Sequence, residues 1–299
     1  MSDADDGMKR IRAASGDPAY EEARDQALIG ALVAEGRGAR AAASILAYPF
    51  FSLTKKRRSK LQSFTSLAQD VSLSVAGTES FGVATIYDAD VLFWLAAEFR
   101  RLYDDTGSTT PRIAFHPHAL LRDIGRGKGG SQTEGTYAVL DRLTSTYNKL
   151  TFHGAPERTR RFHWLDRWHV QRDLGARGSP RVWSVVLSDY LVEAALQNTD
   201  LLALSADYYR LQSAVTKRLY QIAIAYAGRN EVGFVMSMDA LRARSGSSDE
   251  PKQFAYKVRQ LAKKEGRVLD YLLSVLSIDG EEKVWFRHIS FALADQTPS

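Results

Sequence analysis

Apolar positions recur along this chain with two different periods, and the alternation between them outlines the elements. VSLSVAG (71–77) alternates apolar and polar residues and predicts a strand. FGVATIYD (81–88) follows a short polar turn and predicts its hairpin partner. The spacing then becomes helical over 88–105, where Val91, Leu92, Leu95, Phe99 and Leu102 share one broad face behind a cap at Asp88 or Asp90. PRIAF predicts a short strand, and HPHALLRDIGRG a short helix closed by Gly125 and Gly127. QTEGTYAVLDRLTSTYNKL predicts a longer helix with a stripe of Tyr137, Leu140, Leu143 and Tyr147. KLTFHG and RRFHWLDRWHV, separated by the charged APERTR, predict a strand hairpin.

The same order then recurs. After a polar loop (171–181), VWSVVLSDYLVEAAL reads as strand then helix. Residues 204–228 predict one long helix between Ser205 as cap and Gly228 as stop. FVMS is a short strand, MDALRARSG a short helix and 251–266 a second longer helix. Two strands about Asp279-Gly280, a hairpin turn signal, complete the set. Helix, strand, short helix, longer helix and hairpin is the order of a winged helix. The expected fold class is therefore α+β, with tandem winged-helix domains over 46–197 and 198–299. Residues 1–45 read as an extension, loosely helical or partly disordered, with a helix start at Asp17-Pro18.

Composition narrows the chemistry. The chain of 299 residues has no cysteine, which excludes disulfides, thiolate metal sites and cysteine nucleophiles. MSDADDGMKR is acidic and polar with no apolar run behind it, so no signal peptide is expected. No run approaches the length of a membrane span, and a cytoplasmic protein that avoids membranes is expected. The net charge is only +5, so the placement of the charge matters more than its sum.

The helix at 251–266 carries the best-marked surface. Phe254, Val258 and Leu261 fall on one face for burial. Lys252, Tyr256, Arg259 and Lys263 lie opposite, flanked by Gln253, Lys257, Gln260 and Lys264. Arg and Lys can read guanine edges, Gln can read adenine, and further cations neutralise phosphates. A solvated lysine-rich face is the bland alternative. In the first domain, Ser131, Gln132, Thr133 and Thr136 line the start of the equivalent helix, with Arg126 and Lys128 in the loop before it. They suit either DNA contact or an ordinary polar helix start. Arg158, Arg160 and Arg161 occupy the first predicted hairpin, where they are wing arginines or a solvated tip. Lys55, Lys56, Arg57 and Arg58, within YPFFSLTKKRRSK (48–60), suggest a flexible basic arm along phosphates behind an aromatic anchor.

Enzymatic signals are weak. GRGKGGS lacks the closing residues of a phosphate-binding P-loop and follows a helix instead of a strand. His116-Pro117-His118 has two histidines but a proline between them, and reads as a helix start. No catalytic residue, metal or cofactor is expected.

YPFFSLTKKRR, FGVATIYDADVLFWLA, LLRDIGRGKGG, YAVLDRLTST, RFHWLDRW, LSADYYRL and RLYQIAIAYAGR, in that order, resemble the plasmid replication initiator protein A family over about residues 46–290. The resemblance implies a plasmid-encoded, non-enzymatic initiator with two winged-helix domains. Such a protein binds repeated double-stranded sites at a plasmid origin, helps open the duplex and recruits host replication proteins, the host initiator and helicase. It also implies that a monomer initiates while a homodimer represses its own gene or limits copy number. A winged-helix repressor without initiator activity and an origin-nicking nuclease are the alternatives.

Overall fold

The computed structural model describes residues 44–59, 62–65, 71–127, 130–153, 156–172, 180–197 and 204–294. The proposed N-terminal helix after Asp17-Pro18 lies outside them. The first half contains β1 (Gln62–Thr65), β2 (Val71–Ala76), α1 (Ala89–Thr106), β3 (Arg112–Phe115), α2 (Pro117–Asp123) and α3 (Gly130–Ser145). It continues with β4 (Tyr147–Phe152), β5 (Arg158–Phe162), β6 (Leu165–Arg172), β7 (Pro180–Leu187) and α4 (Asp189–Gln197).

The second half opens with a 3-10 turn (Ala206–Arg210), then α5 (Ala214–Tyr226), β8 (Phe234–Ser237), α6 (Met238–Ser245) and α7 (Pro251–Lys264). It closes with β9 (Arg267–Val268), β10 (Tyr271–Ile278), β11 (Glu281–His288) and α8 (Ile289–Ala294). Both halves are winged helices. In the first, α1, α2 and α3 stand with a β3-β7-β6 sheet; in the second, α5, α6 and α7 stand with β8-β11-β10-β9. The wing of the second is the β10–β11 hairpin, paired in register from Tyr271↔His288 to Ile278↔Glu281. Its Asp279-Gly280 turn has positive φ at both residues, as a two-residue hairpin turn requires.

Several sequence expectations change. FGVATIYD is not the partner of β2, which pairs with β1 and β4 instead. The backbone of 81–88 is taken up elsewhere. Ser52 N–H donates to Ala84 O, Ile86 N–H to Ser52 O and Val83 N–H to Arg58 O. The predicted hairpin of KLTFHG and RRFHWLDRWHV splits as well. Its first part is β4–β5, which joins β1 and β2 in a separate four-stranded sheet. The strands that match the wing are β6 and β7, formed from RWHV and the VWSVVL read as a lone strand.

The long helix expected over 204–228 is broken. Ser205 caps only the 3-10 turn, the chain extends at Leu211, and Ser213 caps α5 by accepting from Thr216 N–H at 3.3 Å. A serine in extended conformation is a favoured helix start and offsets the interruption. The helix α3 ends at Ser145, so Tyr147 belongs to β4 and not to the helical stripe. Asp88 precedes α1 but makes no cap bond. Its carboxylate accepts from Thr85 N–H at 2.7 Å and from both sides of the Arg142 guanidinium, at 2.7 and 2.8 Å.

One apolar core runs through both halves, from Ile45 and Leu46 to Val284 and Phe286. The segment before the basic arm is threaded into it. Tyr48, Phe50 and Phe51 are buried, and both phenylalanines pack on Trp164 with ring centroids 5.2 and 5.1 Å away. Full burial of such a side chain contributes about 1.5–3 kcal/mol, enough to hold the segment in place. Pro49 meets Gly246 at the end of α6, where φ is +69° and a Cβ would sit 2.7 Å from the proline ring.

Charges are buried where the halves meet. Lys217 of α5 donates to Asp90 of α1 at 2.8 Å, with side chains 1% and 4% exposed. Lys217 Nζ also donates to Tyr208 O at 3.1 Å and lies 4.1 Å from the centre of that ring. Burial pushes the Asp90 carboxyl up and the Lys217 ammonium down, and their mutual attraction opposes both shifts. Such a pair adds little net stability over an apolar contact, yet losing one member strands the other. Lys217→Met is expected to lower the unfolding free energy in urea by about 3–5 kcal/mol. Adding Asp90→Leu to that variant should recover part of the loss, which tests whether the stranded carboxylate is the cause.

Candidate nucleic-acid interface

Amphipathic spacing fixes the orientation of α7. Phe254, Ala255 and Val258 are buried, and Leu261 is half-buried. Lys252, Gln253, Tyr256, Lys257, Arg259, Gln260, Lys263 and Lys264 are all exposed, as the helix face predicts. Pro251 starts the helix without losing a useful donor, and Lys263 and Lys264 in the last turn complement its dipole. Tyr256 stands out at 60% exposure. Its ring can contact a base or the sugar edge, and nothing in the core requires it there.

Two of the cations have acidic partners invisible to helix periodicity. Lys257 Nζ lies 2.7 Å from Asp249 before the helix. Arg259 forms a two-pronged pair with Glu282 of β11, at 2.8 and 2.5 Å. The pair joins α7 to the β10–β11 wing. The guanidinium holds the Glu282 carboxyl below the usual glutamate range.

The corresponding helix of the first half, α3, presents a weaker surface. Ser131 and Gln132 are exposed and Thr133 is half-buried. Thr136 is corrected to a core position, 1% exposed, with its hydroxyl donating to Gln132 O at 2.9 Å. Arg126 turns inward, donating to Tyr87 O at 2.7 Å and lying 3.5 Å from Asp90. Lys128 lies outside the described residues.

Arg158, Arg160 and Arg161 sit on β5, which is not a strand of the winged-helix sheet, so the wing reading of these three is corrected. Arg160 is bound by Glu193 of α4 at 2.6 and 2.9 Å, while Arg158 and Arg161 are exposed. His116 caps α2 by accepting from His118 N–H at 3.2 Å. Among the described residues no group of three His, Asp or Glu side chains is placed to hold a metal.

The basic run is close to both α3 and α7. Lys55, Lys56 and Arg57 are exposed and Arg58 is half-buried. A groove of about 710 Å³ is lined by Lys55, Lys56 and Arg57 on one side and by Gln132, Gly135 and Ala138 of α3 on the other. A second groove, of about 810 Å³, is lined by Lys55, Lys56 and Arg58 together with Tyr256, Lys257, Gln260 and Lys264 of α7. Tyr87, Asp249 and Glu282, which shape these surfaces, carried no signal in the sequence. Their partners come from other elements.

The profile of the replication initiator protein A family matches residues 40–273. The chain belongs to this family. A curated relative, named "Putative replication protein", comes from Wigglesworthia glossinidia brevipalpis. The two are 24% identical over 186 residues, covering 61% of this chain and 67% of the relative.

The fold of the chain is shared with domains 2 and 3 of RctB. One crystal structure of that pair superposes with a TM-score of 0.62 at 18% identity, covering 83% of this chain and 98% of the other. A second gives 0.56 at 14% identity, covering 85% and 99%. Tandem winged helices are thus the architecture of this chain. No helix among its described residues is long and apolar enough to cross a membrane.

The helix-to-wing pair has a direct test. Because Arg259 lowers the Glu282 carboxyl, the pair persists through the ordinary glutamate range and is lost as pH falls through the lowered value. Carboxyl carbon NMR should give Glu282 a midpoint below 4.5, its ordinary value, and Arg259→Ala should return it there.

Proposed function

We propose that this initiator binds directly repeated double-stranded sites at a plasmid origin and works through binding energy, with no covalent step and no cofactor. The observation that carries the reading is the outward face of α7, where cations, glutamines and an exposed tyrosine stand on the last helix before a wing. In a winged helix this is the element that enters the major groove. The family membership supports an origin as the place where that face is used. Two recognition helices dock in successive major grooves roughly 34–36 Å apart. Bending or untwisting of the bound duplex then favours opening of a neighbouring A·T-rich element. Host replication proteins, the initiator and helicase, are recruited to the opened strand in the bacterial cytoplasm. A homodimer of the chain represses its own gene.

Footprinting of the DNA that flanks the gene tests this reading. The expected result is protection of a direct repeat of about 20 base pairs, two turns at ~10.5 each. Protection confined to one major groove would contradict it. Arg259→Ala, which also frees Glu282 in the wing, is expected to weaken specific binding by about 1–3 kcal/mol if the guanidinium leaves Glu282 for a base and by less if it stays, whereas Lys263→Ala should weaken all sequences alike and lower the salt slope by about one. Supply in trans to a plasmid carrying only the origin separates an initiator from a repressor. A tyrosine-linked nick in supercoiled origin DNA would reveal a nuclease.

A further inference from the structure

The basic run is not a loose arm. Val83 N–H donates to Arg58 O at 2.7 Å, and Lys56 N–H to Thr54 Oγ1 at 3.2 Å. Arg57 Nη1 donates to Ser80 O in the first winged helix at 3.1 Å. Arg58 Nη2 donates to Ser248 Oγ, just before α7 in the second, at 3.0 Å. Lys55 Nζ lies 4.7 Å from the centre of the Tyr87 ring. The backbone passes so close to Gly82, where φ is +77°, that a Cβ there would lie 2.8 Å from Arg57 Cγ and 3.1 Å from the Arg58 backbone. These contacts make 54–58 a strap stretched between the two domains, with the Lys55, Lys56 and Arg57 side chains exposed.

Placement gives the strap its partner. Lys55 and Lys56 line both grooves, one against α3 and one against α7. When two recognition helices occupy successive major grooves, the duplex between them shows its phosphate ridges. A fixed cationic strap at that point meets a regular row of negative charge. Because its backbone is already held, ordering it on the duplex costs little further entropy. Phosphate contacts of this kind set register without reading sequence.

We propose that Lys55 and Lys56 clamp the DNA backbone between the two half-sites, so that the strap sets the spacing the protein accepts. This rests on the duplex-binding reading of the preceding section. An acidic surface on another protein would also attract these lysines, and the experiment distinguishes that case.

The experiment is hydroxyl-radical footprinting and salt titration of the full chain on the repeated duplex found beside its gene. Lys55→Ala with Lys56→Ala is expected to erase protection of the central phosphates and keep the two outer protections. At about 0.9 of slope per phosphate contact, the double variant should lose roughly twelvefold less affinity between about 50 and 200 mM salt than the unsubstituted chain. Replacing both by arginine should restore the centre. Gly82→Ala, which displaces the strap and keeps its charge, should blur the same phosphates.

Central protection and salt slope that survive the double alanine variant overturn the strap alone, and leave the lysines to a protein partner. A uniform loss at all three positions also overturns it. If the unsubstituted chain protects no duplex at all, the functional reading falls with it.

Discussion

Arg218 is buried in α5 at 2% exposure, and its guanidinium donates only to neutral carbonyl oxygens: Leu46 O at 2.6 Å, Ala47 O at 2.8 Å, Arg244 O at 2.8 and 3.2 Å, and the Gln221 side chain at 3.0 Å. Burial lowers its pKa to about 9, which leaves it charged at neutral pH. A charge in that position is tolerable only while every donor is met. Two acceptors lie in the leading segment and one at the end of α6, so the charge fixes three stretches of chain together. With Leu46 and Ala47 set, the aromatic run can seat on Trp164, and the strap begins at a defined point. Lys217, one residue earlier, reaches into the first winged helix and does the same for α1.

This arrangement explains why the grooves have fixed walls. Each is assembled from residues of both halves. Tyr209, Leu211 and Gln212 from the second half line the groove beside α3, and Leu53 and Thr54 from the leading segment line the one beside α7. The electrostatics divide accordingly. Buried Lys217 and Arg218 tie the halves together, while eight exposed cations stand on α7 and the strap. The formal charge of +5 does not report where those cations stand.

Much of the second winged helix was legible in the sequence because its elements are short and sharply punctuated. FVMS matches β8, and Asp279-Gly280 is the turn between β10 and β11. Residues 251–264 form the expected helix with the expected face outward. The first half was harder for a physical reason. It carries two antiparallel sheets, and periodicity shows that a segment is extended without showing its partner. FGVATIYD therefore looked like a hairpin mate of β2, when its backbone pairs with the leading segment. The adjacent Lys217 and Arg218 gave no signal, since AVTKRLYQIAIAY reads as an ordinary amphipathic helix. Nothing local told that both cations point inward. The Arg259–Glu282 pair was equally hidden, because its members are neighbours only after the wing folds back.

The shared burial of Lys217 and Arg218 also bears on how such a chain can be cut or recombined. A piece beginning after α4 would keep both cations but lose Asp90, Leu46 and Ala47, the groups that make them tolerable inside. A nick by a protease between the halves would not release two working modules. The two halves thus share one core and its buried charges, even though each has the element order of a complete domain.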